Sequence, residues 1–142
     1  MSQAIQIYDT TLRDGAQMEG ISLSVDDKLK ITQLLDDLGV DFIEGGWPGA
    51  NPKDEEFFKK VNQFTLKNSK LVAFGSTRRK NRSPESDENL RALIDASTPV
   101  VTIVGKSSVK HVKKSLETTL EENLRMIASS VAYLKEHGKE IV

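Results

Sequence analysis

Cysteine is absent from all 142 residues, which excludes disulfide stapling and thiolate metal ligands, so the core must hold itself by packing. Histidine occurs twice, at His111 and His137, and neither has a partner at metal-pair spacing; His137 reads as a structural residue in a last helical turn. Charge of one sign is missing too. A net charge of −1 and 6% aromatics leave no basic excess to release counterions and few rings to stack bases, so no nucleic-acid partner is expected. No apolar run approaches the roughly 20 residues of a membrane helix, and the N-terminus has no basic stretch followed by an apolar one. A cytoplasmic protein without a membrane partner is the expectation. Gly45, Gly46 and Gly49 show neither a dinucleotide fingerprint nor a P-loop, and read as residues of a tight turn.

What is present is the composition of an ordinary domain, 37% hydrophobic and 29% charged, with length for one core. Short β-rich runs recur at Ile5-Gln6-Ile7-Tyr8, Val40-Asp41-Phe42-Ile43, Leu71-Val72-Ala73-Phe74, Val100-Val101-Thr102-Ile103-Val104 and Glu140-Ile141-Val142. A helix fits between each pair. The first runs from Val25 to Leu38, opened by Ser24 and Asp27 at capping-box spacing and stopped by Gly39, with Leu29, Ile31, Leu34, Leu35 and Leu38 as its apolar stripe. The second opens at Asn51-Pro52 and buries Phe57, Phe58, Val61 and Phe64; the third follows Ser83-Pro84 with Leu90, Leu93 and Ile94. The fourth places Leu116, Leu120, Leu124, Ile127, Val131 and Leu134 on one side and stops at Gly138. This alternation is the grammar of a parallel α/β sheet, and periodicity alone leaves a doubly wound sheet and a barrel both open.

The densest chemistry lies at the end of the first strand, in Asp9-Thr10-Thr11-Leu12-Arg13-Asp14-Gly15-Ala16-Gln17. Asp14 offers hard oxygens to a divalent cation, and Arg13 a planar fork for a carboxylate or a developing oxyanion. Thr11 to Gln17 resembles the T-L-R-D-G-x-Q signature of the metal-dependent acyl-CoA Claisen enzymes, namely the 2-isopropylmalate, homocitrate and citramalate synthases, with 3-hydroxy-3-methylglutaryl-CoA lyase as a cleaving relative. Ile43-Glu44-Gly45-Gly46-Trp47-Pro48-Gly49-Ala50-Asn51-Pro52-Lys53-Asp54 resembles the citramalate synthase branch. So do Phe74-Gly75-Ser76-Thr77-Arg78-Arg79, Val104-Gly105-Lys106-Ser107 and Thr118 to Leu124, and the likeness spans the chain.

The resemblance implies a (β/α)8 TIM barrel, of which residues 1–142 form the N-terminal half: four βα units and the start of strand five, with no second domain. It implies an acyltransferase that condenses acetyl-CoA with pyruvate to citramalate in branched-chain amino-acid (isoleucine and leucine) biosynthesis. Isopropylmalate or homocitrate synthase is the near alternative, and a non-catalytic half-barrel assembly module is the alternative of another class. In matching positions Arg13 is the catalytic arginine that also binds substrate, Glu44 the acid that either orients Arg13 or transfers a proton, and Asp14 the metal ligand for Mg2+ or Mn2+, with Zn2+ also admitted. Gln17 either touches substrate or caps its own loop.

Trp47 reads as packing rather than a ligand platform. Arg78-Arg79-Lys80-Asn81-Arg82 reads as a solvated loop, a contact for coenzyme A phosphates or, last, a nucleic-acid contact. Lys106 and Ser107, at the end of strand four, read first as surface loop residues and second as contacts for substrate or the pantetheine arm. The family's H-x-H metal pair has no counterpart in this sequence, so the segment alone is expected to have an incomplete metal site and no activity. The sequence is read as a fragment ending within an element. Two open sheet edges and inward faces rich in Ile, Val and Phe are expected to drive self-association, most simply as a dimer.

Overall fold

The computed structural model describes residues 5–142. Five strands, β1 (Tyr8–Asp9), β2 (Phe42–Gly46), β3 (Lys70–Ser76), β4 (Val100–Val104) and β5 (Glu140–Ile141), pair in chain order, and every pairing is parallel. The connections carry α1 (Val25–Leu38), α2 (Pro52–Val61), α3 (Glu88–Asp95), a short α4 (Val109–Lys114) and α5 (Leu120–Glu136). A doubly wound sheet reverses its strand order at a switch point; here the order climbs without reversal, as in a barrel wall.

The two faces of the sheet differ accordingly. On one, Ile43, Leu71, Ala73 and Val101 meet Phe57 and Phe58 of α2, Leu90 and Leu93 of α3 and Leu134 of α5 in the main core. On the other, Phe42, Val72 and Val100 form a separate cluster with Tyr8, which among the described residues no helix residue joins. That second face is concave. Tyr8 Oη of β1 lies 2.6 Å from Thr102 Oγ1 of β4, although β2 and β3 stand between those strands. At the opposite end of the strands Lys70 Nζ meets Glu140 Oε2 at 2.6 Å, closing the bottom of the same concavity.

This curvature corrects the expectation that inward faces rich in Ile, Val and Phe lie open: the inward face carries Val and Phe, and these are covered. Phe42, Val72 and Val100 are 6%, 0% and 0% exposed because inward side chains from β1 to β4 already cover one another, while Ile43 and Ile103 lie with the helix-side core. Exposed apolar side chains gather elsewhere, at Ile5, Ile7, Leu34 and Leu38 and at Leu120, Leu124 and Val142.

Helix α1 has the expected bounds. Its Ser24–Asp27 capping box is formed, and Gly39 ends it at φ +86°, a conformation that a Cβ disfavours. Its buried row is different: Leu34 and Leu38 are exposed, while Lys28, Thr32 and Asp36 at i, i+4 spacing are buried. Each buried polar group has a partner, which makes its burial tolerable. Lys28 pairs with Asp54, the Thr32 hydroxyl donates to the Lys28 carbonyl, and the Asp36 carboxylate accepts from the backbone N–H groups of Lys67, Asn68 and Ser69. Helix α5 likewise starts at Leu120 rather than Leu116, capped by Thr119. It buries Asn123 and Ser130, which bond the Lys106 carbonyl and the Arg78 N–H, so Leu120 and Leu124 turn outward. The β1 ladder is shorter than expected: Ile5 is 92% exposed, and only Tyr8 and Asp9 pair with β2.

Burial alone would raise the Asp36 carboxyl, but the three N–H donors outweigh it and hold the group below the ordinary carboxylate range. A depressed folded value means a stabilising contribution that is full above the unfolded value near pH 4 and is lost as pH falls through the folded one. Asp36→Ala is expected to cost about 1–3 kcal/mol at neutral pH and progressively less as pH falls below the unfolded value of about 4. Urea unfolding at several pH values measures both.

Candidate active site at the strand ends

Beyond β1 the Thr10 carbonyl collects the N–H groups of Arg13, Asp14 and Gly15, and the Asp9 carboxylate holds Thr11 N–H and hydroxyl. This tight turn buries Leu12 in the core and leads into a 3-10 turn, Gly15–Gln17. Arg13 is thereby placed over the C-terminal ends of the strands. Glu44 sits near the end of β2, where the register shifts between Glu44 and Gly46 and aims the carboxylate inward.

Glu44 is 1% exposed, and both of its oxygens are engaged. Arg13 Nε donates to Oε1 and Tyr8 Oη to Oε2, each at 2.5 Å. Burial first, and then the Glu44 carboxylate, push the Tyr8 phenol above its ordinary range. The phenol's single proton goes to Glu44, so the hydroxyl of Thr102 donates to the phenol oxygen. Arg13 also donates from Nη1 to Asp14 Oδ1 at 3.0 Å, and its guanidinium lies 4.0 Å over the Phe74 ring. Trp47 meets Phe74 edge-on at 5.4 Å and donates Nε1–H to Asn89, which is the packing role expected of it.

A cavity of about 360 Å3 opens beside Arg13, lined also by Gln17, Lys28, Trp47, Asn51 and Asp54. Its wall is braced by a second buried polar group. Asp54 at the start of α2 takes Lys28 Nζ on Oδ1 and the Trp47 N–H on Oδ2, joining α1, α2 and the loop after β2. Burial pushes the Lys28 ammonium down even with Asp54 beside it. Gly46, at φ +153°, makes room for this: a Cβ there would stand 2.5 Å from Asp54 Cγ.

The structure therefore brings Arg13, Asp14 and Glu44 together and puts Gln17 on the same cavity. It separates the basic cluster. Arg78 is not a solvated loop residue; it is buried, donating to Ser129, to the Arg79 carbonyl and to Glu122, and so ties the loop after β3 to α5. Arg79, Lys80, Arg82 and Lys106 line a second cavity of about 400 Å3. Tyr8, Phe74, Thr102 and the Lys28–Asp54 pair escaped sequence reasoning. For the first three the signal was the two-residue period of the strands, which puts Tyr8, Phe42, Glu44, Val72, Phe74, Val100 and Thr102 on one face.

Asp14 is two-thirds exposed and fits one ligand of a hard divalent cation. Among the described residues no group of three or more His, Cys, Asp or Glu is placed to hold a metal ion.

A family model described as HMGL-like matches residues 4–142. The (R)-citramalate synthase of Aquifex aeolicus is 56% identical over 142 residues, covering 100% of this chain and 27% of that protein. The 2-isopropylmalate synthase of Sulfolobus acidocaldarius is 36% identical over 137 residues, covering 96% of this chain and 33% of that protein. An HMG-CoA lyase from Acinetobacter baumannii, solved in complex with coenzyme A and 3-methylmalate, superposes with a TM-score of 0.71 at 19% identity over 96% of this chain and 43% of that one. The chain thus spans only about a quarter to a third of the length of these curated relatives. The structural likeness gives the fold: five parallel strands and their helices as the N-terminal part of such a barrel.

Proposed function

The chain belongs to the HMGL-like family, and from that premise we propose that residues 1–142 are the N-terminal half of the catalytic barrel of an (R)-citramalate synthase, which condenses acetyl-CoA with pyruvate. The observation that carries the reading is the Arg13–Glu44 pair at the C-terminal strand ends, the active face of a barrel, in a chain 56% identical to one such synthase. The 36% identity to an isopropylmalate synthase supports that activity less. The lyase bound to coenzyme A supports acyl-CoA as the second substrate.

In this reading Arg13 is anchored through Nε and presents its remaining N–H groups to the carboxylate and the developing alkoxide of the 2-oxo acid. Glu44 is the anchor rather than the proton carrier, since each of its oxygens already accepts a hydrogen bond in a site closed to water. Phe74 packs against the guanidinium plane and is itself braced edge-on by Trp47, and Gln17 contributes an amide to the cavity. Asp14 is one ligand of the divalent metal, with the other ligands supplied from outside these residues. That metal, when bound, polarises the keto oxygen.

The same reading includes a homo-oligomer. Among the described residues β1 and β5 each pair with one strand only, and exposed apolar side chains lie near both ends of the chain. The test uses the purified full-length protein. Release of coenzyme A thiol should require acetyl-CoA and a divalent metal and should favour pyruvate over longer 2-oxo acids, with sedimentation reporting a species larger than the monomer. Preference for 2-oxoisovalerate would replace the assignment by isopropylmalate synthase.

A further inference from the structure

Glu44 owes half of its hydrogen bonding to residues that the reaction above does not use. The Thr102 hydroxyl donates to Tyr8, Tyr8 donates to Glu44, and Glu44 receives Arg13, a continuous row of contacts of 2.6, 2.5 and 2.5 Å. The row crosses the concave face from β4 to the loop after β1, and the carboxylate at its centre is closed to water. A buried carboxylate oxygen that loses its donor has no solvent to replace it. Its other oxygen accepts the Arg13 Nε–H hydrogen bond, so the orientation of one oxygen governs the other.

We infer that Tyr8 and Thr102 are positioning residues for the condensing reaction, setting the Glu44 carboxylate that orients Arg13 over the site. The inference rests on the proposed function for its kinetic arm and on geometry alone for its structural arm. Tyr8 and Thr102 touch Glu44 or each other and line none of the Arg13 cavity, so their effect passes through Arg13. Two features follow from that indirect action. Loss of the phenol hydroxyl should reduce turnover more than it raises KM, because the anion-binding guanidinium remains present but misaligned. Loss of the Thr102 hydroxyl should matter only while Tyr8 is there to receive its bond, so the two changes should not multiply.

The experiment is a double-mutant cycle in the full-length enzyme, with Tyr8→Phe, Thr102→Val, the double variant, and Thr102→Ser as the conservative replacement. Tyr8→Phe is expected to lower kcat about 10- to 100-fold with a smaller change in KM. The double variant should be no slower than Tyr8→Phe, and Thr102→Ser should recover most of what Thr102→Val loses. In the crystal structure of the Tyr8→Phe enzyme the Arg13 guanidinium should be displaced from Glu44 or occupy more than one rotamer. Multiplying effects, unchanged kcat in Tyr8→Phe, or an Arg13 still seated on Glu44 in that crystal structure each overturn the inference. A wild-type enzyme that does not condense acetyl-CoA with pyruvate overturns the proposed function instead, and the crystal structure then decides the role of Tyr8.

Discussion

Arg13→Ala in the full-length enzyme is expected to lower kcat by about 10²- to 10³-fold, equivalent to about 2.7–4 kcal/mol for one lost oxyanion donor. The side chain is held by Glu44, by Asp14 and by the Phe74 ring, and so arrives at the substrate already oriented. Arg13→Lys should recover little, since an ammonium cannot donate to Glu44 in the guanidinium's place and present a planar fork to the substrate at the same time. Steady-state rates of thiol release with pyruvate measure both variants. A lysine variant near wild-type rate would show that only the charge matters and would remove the bidentate role assigned to Arg13.

The largest expected change in stability belongs to Asp54. Asp54→Ala strands the Lys28 ammonium in a buried site and leaves the Trp47 N–H without its acceptor, with an expected cost of about 3–5 kcal/mol. Replacing both partners by apolar residues, Lys28→Met with Asp54→Leu, should cost far less, because no charge is then left unpaired. Chemical unfolding of the single and double variants separates the cases. If the double variant is as unstable as Asp54→Ala, the damage comes from the loop after β2 rather than from the stranded lysine.

Elements with strong local punctuation were legible in the sequence. The ends of α1 followed from Ser24, Asp27 and Gly39, and the start of α2 from Asn51 and Pro52, because caps are local hydrogen-bonding chemistry. The juxtaposition of Arg13, Asp14 and Glu44 was legible through motif likeness, although 31 positions separate Arg13 from Glu44. Side-chain burial was less readable. Counting leucines placed Leu34, Leu38, Leu120 and Leu124 inside, whereas the fold buries Lys28, Asp36, Asn123 and Ser130 because each reaches a specific partner on another element. Such partnerships depend on which loops meet, and no local pattern encodes that. Arg78 is the clearest case: the basic run around it looks solvated until Glu122 and Ser129 of α5 arrive beneath it.

The bond between Tyr8 and Thr102 also bears on how the chain acquires its shape. It joins residues 94 positions apart, whereas β1 is otherwise held locally, by a two-residue ladder against β2, the Ile7 backbone bonds to Asp41 and Phe42, and the Tyr8–Glu44 bond. Closing so long a loop costs chain entropy that the short ladder repays poorly, so the first strand gains its full hold only after the fourth has been laid down. During synthesis the Tyr8 phenol would lack its donor until about a hundred residues have left the ribosome, and the row through Glu44 would be completed at that late stage. A partly folded intermediate with β1 to β3 alone therefore carries Arg13, Glu44 and Tyr8 together but lacks the Thr102 hydroxyl that fixes the phenol at the far end of the row.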